Sequence, residues 1–187
     1  RAKFSAGGFE ARYGDKLSSV LDVKYDRPDS NQVTLTTGFL GTSLTTKYVS
    51  EKSFLLAGFR YKNNSSVLNK QDYKGSYNPN FGDAQILYQH NFSDKFSLSA
   101  FGNLNIGQFK LIPEDRETQF GTLNTQLRLN IAYNGQEIDT YQTLGGAVTA
   151  TFSPKANLAI KWINSYFNTT ERERFDIEGR YIFDELE

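Results

Sequence analysis

The chain has 187 residues, enough for one sizeable domain or part of a larger one, and its 21 Lys and Arg are balanced by 21 Asp and Glu. A formal net charge of zero removes the long-range field that nucleic-acid binders carry, so no nucleic-acid partner is expected. The absence of cysteine excludes disulfides and thiolate metal sites, and a single histidine argues against a His-rich metal centre. The longest apolar run, residues 54–59, falls far short of the 18 or more residues of a membrane-crossing helix, so no transmembrane helix is encoded.

At the start, Gly7, Gly8 and Gly14 are interleaved with Phe4, Phe9 and Tyr13. No Gly-Lys-Ser/Thr follows them, which favours tight turns packed by aromatic rings over a phosphate-binding loop. Residues 17–25 read as a strand from their β-branched and aromatic content, and Arg27-Pro28-Asp29 stops it because proline cannot donate to a ladder. Residues 32–49 read as one long Thr-rich strand whose apolar phase changes at Gly38 and Gly41, the mark of a bulge or kink. A short turn at 49–53 leads to a strand at 54–62, followed by a long polar segment at 63–81.

Residues 84–106 carry the clearest pattern. Ala84, Ile86, Tyr88, His90 and Phe92 share one phase, and Gln85, Leu87, Gln89 and Asn91 share the other. After a polar turn at 93–95, Phe96, Leu98, Ala100, Gly102, Leu104 and Ile106 alternate with Ser97, Ser99, Phe101, Asn103 and Asn105. Successive strand side chains point to opposite faces, so this is an antiparallel hairpin with one oily and one polar face. Each arm is about the 9–11 residues that a tilted strand needs to cross a bilayer, although a soluble sandwich shows the same alternation. Residues 108–139 form a second long segment, in which 123–133 alternate well. They are either a separate strand or a hairpin arm standing above a membrane. Strands at 141–152 and 158–167 flank a short turn at 153–157, and 168–187 is polar and acidic.

If 123–133 belong to a loop, short turns at 49–53, 93–95 and 153–157 alternate with long segments at 63–81, 108–139 and beyond 168. Outer-membrane barrels segregate short periplasmic turns from long external loops in this way. Tyr48, Tyr61, Tyr88, Phe92, Phe96, Tyr141, Phe152 and Tyr166 lie near predicted strand ends, where interfacial girdles belong. The expected fold class is therefore all-β: part of an antiparallel transmembrane β-barrel, with about six strands and one closing strand before them. The alternative is a soluble β-sandwich or lipocalin-like binding module.

A family resemblance points the same way. The run from Phe4 through Arg12-Tyr13-Gly14 to Tyr25, matched at Arg12, Tyr13, Gly14, Ser18, Ser19 and Asp22, resembles the end of the plug domain of TonB-dependent outer-membrane receptors of the Bacteroidetes type. The likeness continues through Arg116-Glu117-Thr118, through residues 135–139 and through residues 175–179. It implies a plug end at 1–28 and the first part of a barrel at 29–187, so further sequence on both sides, or partner chains, is expected to complete the wall. It also implies residence in the outer membrane of a Gram-negative bacterium. There the barrel would take up a scarce solute (siderophore, cobalamin, glycan or peptide) with energy from the TonB complex. Implied partners are outer-membrane lipid, the TonB complex, a surface lipoprotein lid and a small or oligomeric substrate.

Gln85, Gln89, Asn91, Asn103 and Asn105 would line the lumen, where they hydrate it or hydrogen-bond a plug or passing solute. His90 sits on the apolar phase with no Asp, Glu or Cys at ligand spacing, which favours packing over metal binding. Glu114-Asp115-Arg116-Glu117 and Glu171-Arg172-Glu173-Arg174 read as solvated or mutually paired runs, with contact to lipopolysaccharide or a charged substrate as the functional alternative. No nucleophile elbow, metal helix or isolated carboxylate pair is present. No catalytic activity, cofactor or metal is therefore expected.

Overall fold

Alternating β-branched, aromatic and hydroxyl residues leave the backbone few options besides extended strands. The computed structural model, which describes residues 1–14, 17–68, 75–121 and 126–186, is almost entirely antiparallel β-structure. In chain order the strands are β1 (Ala2–Ala6), β2 (Ser19–Val23), β3 (Gln32–Gly38), β4 (Gly41–Val49), β5 (Ser53–Asn63), β6 (Gly75–Tyr77), β7 (Asn80–Ser93), β8 (Phe96–Pro113), β9 (Arg116–Gly121), β10 (Gln126–Asn134), β11 (Glu137–Lys155), β12 (Leu158–Phe175) and β13 (Glu178–Leu186). A single helical turn, α1 (Ser65–Leu68), precedes β6.

The large sheet runs β12-β11-β8-β7-β5-β4-β3, with β6 also pairing β8. β1 pairs β2 separately, and β10 lies between β9 and β13 in a three-stranded sheet. Among the described residues no sheet closes on itself. The three-stranded sheet continues the large one. Glu137 opposes Phe175 at the top of β11 and β12, and Asn134 opposes Glu178 at the foot of β10 and β13, so the register is unchanged across a two-residue break. Gly135 takes φ 96° at that break, a left-handed conformation that suits glycine. Asp176 is held there by its backbone N–H to the Gln136 carbonyl at 3.1 Å, and its Oδ1 accepts the Gln136 N–H at 2.7 Å.

Several expectations need correction. Residues 32–49 are not one kinked strand but the hairpin β3–β4, closed so tightly that Gly38 opposes Gly41. Gly41 faces the Tyr61 carbonyl, and a Cβ on it would lie 2.1 Å from that oxygen, so the glycine marks a turn rather than a bulge. The large sheet accordingly has seven successive strands where about six were expected. The segment 108–139 is the paired extension β8–β9 and β10–β11. Of the alternating residues 123–133, those from 126 onward form the hairpin arm β10, and 123–125 lie outside the described residues. The polar stretch after residue 167 is strand through Phe175 and again from Glu178, because cross-strand hydrogen bonding overrides its hydrophilic composition. In the polar segment 63–81, the described residues place α1 and β6, while 69–74 lie outside the described residues.

Candidate functional site: the two faces of the sheet

Residues opposite one another in an antiparallel ladder share a face, so the registers sort every side chain of the large sheet. One face carries Val33 and Leu35, Leu44 and Tyr48, Leu55, Ala57, Phe59 and Tyr61, then Ile86 and Tyr88. It continues through Leu98, Leu104 and Ile106, Leu144, Val148 and Phe152, to Ile160, Trp162 and Tyr166. Most of these side chains are exposed (Ile86 49%, Leu144 49%, Trp162 61%), while Leu55, Ala57, Leu98 and Leu104 are half-buried. Val20 and Phe54 are the buried hydrophobic residues among those described, and neither belongs to this face. Of the aromatics expected near the ends of strands, Tyr141 lies on the opposite face, because it pairs with Gly107 and Glu171 in the polar phase.

The second face is mostly hydroxyl and amide. Gln85 opposes Asn103, and Gln89 opposes Phe54 and Ser99. Asn91 opposes Ser97, and Asn105 opposes Asp83 and Thr143. All five residues expected on the polar side thus share one face. Gln89 Nε2 donates to Asn91 Oδ1 at 3.2 Å, and Arg60 pairs with Asp83 at 2.7 Å. The N-terminal segment reaches this face. The Tyr25 hydroxyl donates to Gln85 Oε1 at 2.8 Å, and its ring lies 6.2 Å from that of Phe101. Arg27 Nη2 donates to the Ser50 carbonyl and, at 3.0 Å, to that of Glu51. Beneath Tyr25 is a shallow cleft lined by Leu56, Gly58, Leu87, Phe101 and Lys47. This apolar spot on a polar face was missed from sequence. Its signal was present: Leu56, Leu87 and Phe101 break the polar phase at cross-strand positions.

Within the N-terminal pair, three motif residues converge. The Tyr13 hydroxyl donates to Asp22 Oδ2 at 2.6 Å, while Arg12 Nη2 donates to the Tyr13 hydroxyl at 3.0 Å and its guanidinium lies 4.8 Å from the ring centroid. The Tyr13 hydroxyl holds the Asp22 carboxyl below its ordinary range, and the bond to Asp22 raises the Tyr13 phenol. Glu10 is lowered first by its hydrogen bond from Lys3, then by the charge of Arg12. Ser18 and Ser19 contribute backbone: Gly7 N donates to Ser18 O at 3.0 Å, and Ser19 opposes Ala6. Gly14 lies in the connecting turn and joins none of these contacts.

His90 is held by packing and one hydrogen bond: its Nδ1 lies 2.7 Å from Ser53 Oγ, and its ring meets Phe92 edge-on at 4.5 Å. Cross-strand pairing gathers one cluster that spacing along the chain did not disclose. Carboxylate oxygens of Glu137, Asp139 and Glu173 lie within 4.8 Å of one another on the polar face, near enough to share a cation.

No family model, curated protein or solved structure matches the chain. Its functional reading therefore rests on the two faces and on the way the N-terminal segment meets one of them.

Proposed function

We propose that this chain is a sector of the wall of a TonB-dependent outer-membrane receptor, with the closing strand of the plug at 1–28 and barrel strands from 29 onward. One observation carries the reading: a continuous apolar face lies bare across seven strands, while the N-terminal segment docks on the polar face behind it. A soluble sandwich would bury that apolar face against a second layer. On β8 the oily positions run from Phe96 to Ile106, and on β11 from Leu144 to Phe152. Tilted strands of that length rise roughly 25 Å, the height of the apolar band on outer-membrane barrels.

In this reading the apolar face meets acyl chains and the polar face lines a lumen. The free edges of β3 and β12 are paired by further strands or by partner chains, which in vesicles are other copies of this chain, because an unpaired backbone is untenable in lipid. Tyr25 and Arg27 then anchor the plug to the inner wall. A scarce solute enters from the side of the extended strands and passes when the TonB complex, driven by the proton gradient, displaces the plug.

Trp162 is the only tryptophan and lies on the apolar face, which makes the test direct. The full chain refolded into vesicles should show blue-shifted Trp162 emission that is quenched by phospholipids brominated along the acyl chain. Monodisperse behaviour in buffer without detergent, with unquenched emission, would sink the transporter reading and favour the soluble module.

A further inference from the structure

The charge run Glu171-Arg172-Glu173-Arg174 is sorted by the strand it lies on. Along β12 alternate residues face opposite ways, so Glu171 and Glu173 join the polar face and Arg172 and Arg174 join the apolar one. The cross-strand rows on the apolar face are Leu104–Leu144–Asn168, then Ile106–Gln142–Thr170, then Gln108–Thr140–Arg172, then Lys110–Ile138–Arg174. The two uppermost rows thus carry three cations above Ile106, with Ile138 lying between Lys110 and Arg174. No carboxylate shares that face on β8, β11 or β12 at this height. The carboxylates of Glu137, Asp139, Glu171 and Glu173 all project from the other side. None of the ion pairs among the described residues engages Lys110, Arg172 or Arg174.

We propose that Lys110, Arg172 and Arg174 form a site for lipid headgroups that carry phosphate and a net negative charge at the rim of the apolar band. The proposal rests on the membrane reading above and names the leaflet chemistry this sector would meet. Alternate residues on one strand stand about 7 Å apart, and Lys110 lies two strands, about 10 Å, from Arg174. That triangle spans two phosphates on one headgroup or on neighbours. Guanidinium groups suit it because their planar fork takes two phosphate oxygens at once. The segregation also explains why like charges are tolerated together. The arginines look outward to anions, while the four carboxylates look inward.

The test uses the full chain, transferred from detergent into phosphatidylcholine vesicles with or without phosphatidylglycerol, and follows Trp162 emission. The wild type should favour the anionic vesicles. Combined Lys110→Gln, Arg172→Gln and Arg174→Gln should lower that preference about a hundredfold, at roughly fivefold per charge. Glu171→Gln with Glu173→Gln, on the opposite face, should leave it intact. Arg172→Lys with Arg174→Lys should retain most of it and controls for folding, as does single Arg174→Gln if the triple variant fails to fold. Entry into both vesicle types without preference, or an unchanged preference in the neutralised variants, would overturn the lipid site and leave the membrane reading standing. Failure to enter any vesicle would remove both. Loss of preference on adding inorganic phosphate, beyond that caused by chloride at equal ionic strength, would mark a free-anion site and overturn the lipid assignment.

Discussion

The lower and upper parts of the long strands obey opposite patterns although they share one ladder. Below the break at Gly135 and Asp176, apolar residues of β11 and β12 occupy even positions: Leu144, Val148 and Phe152 face Ile160, Trp162 and Tyr166. Above it they occupy mostly odd ones, with Leu127, Leu129, Ile131 and Tyr133 beside Tyr181 and Phe183. Phe120 and Phe183 touch there at 5.8 Å between ring centroids. Between β11–β12 and β10–β13 the register does not slip, whereas from β8–β11 to β9–β10 it moves by one residue, with Glu137 opposite Leu111 but Gln126 opposite Gly121, so the phase changes at the break. Below, one face is mostly apolar over seven strands; above, Arg128 and Arg180 stand at even positions of β10 and β13.

If that contrast reflects a change of solvent, the same substitution should act unequally on the two sides. Leu104→Arg, within the oily band, should cost about 2–4 kcal/mol of folding stability in vesicles, as charge in the lipid-facing midplane does. Ile182→Arg, exposed in the upper sheet, should stay within roughly 0.5 kcal/mol. Denaturant titration of vesicle-inserted protein measures both. Equal effects would break the comparison. The junction itself is the next target. A Cβ at Gly135 would lie 1.9 Å from the Asp176 carbonyl oxygen, and φ 96° is hostile to alanine. Gly135→Ala should cost about 1–3 kcal/mol and loosen the Gln136 and Asp176 amides in hydrogen exchange.

The lower region was largely legible in the sequence because a period of two survives wherever one face is uniform, as in residues 84–106. The order of short turns at 49–53, 93–95 and 153–157 was equally plain. Three features were not. The tight β3–β4 turn has only Phe39 and Leu40 between Gly38 and Gly41, so it resembled an irregularity within one strand. The hydrophilic top of β12 is strand because β11 pairs with it along its whole length, a non-local cause that local composition cannot report. The carboxylate cluster needs Glu173 to stand opposite Asp139, and only the register supplies that pairing. The Arg12, Tyr13 and Asp22 set was named from resemblance, and contact among the three is a matter of geometry alone.

A smaller effect probes the meeting of the N-terminal segment with the large sheet. Tyr25→Phe keeps the ring against Phe101 and removes only the hydrogen bond to Gln85. A loss of about 0.5–1.5 kcal/mol in docking of residues 24–28 is expected, readable as faster exchange of the Lys24 amide, which bonds the Arg1 carbonyl at 2.8 Å. Tyr25→Ala should lose more, since the ring goes too.

The faintest signal concerns pH within β1–β2. Asp22 is depressed because the Tyr13 hydroxyl donates to its charged form, so the folded state binds fewer protons than the unfolded one under acid conditions. The stability that the pair contributes is therefore present above the ordinary carboxylate range. It is lost as the pH falls below that range and through the folded value. The Tyr13 phenol is raised by the same bond, so the contribution is also lost on the alkaline side, as pH rises from the ordinary tyrosine range through the folded value. Amide shifts of Val20 and Asp22 should thus hold steady at neutral pH and move at both extremes. Tyr13→Phe should flatten the alkaline limb and shift the acid one toward an ordinary aspartate, and Asp22→Asn should abolish the acid limb. A wild-type profile unchanged by Tyr13→Phe would mean that the neighbouring cations Lys24, Arg12 and Lys3 hold Asp22 instead, since each also lowers it.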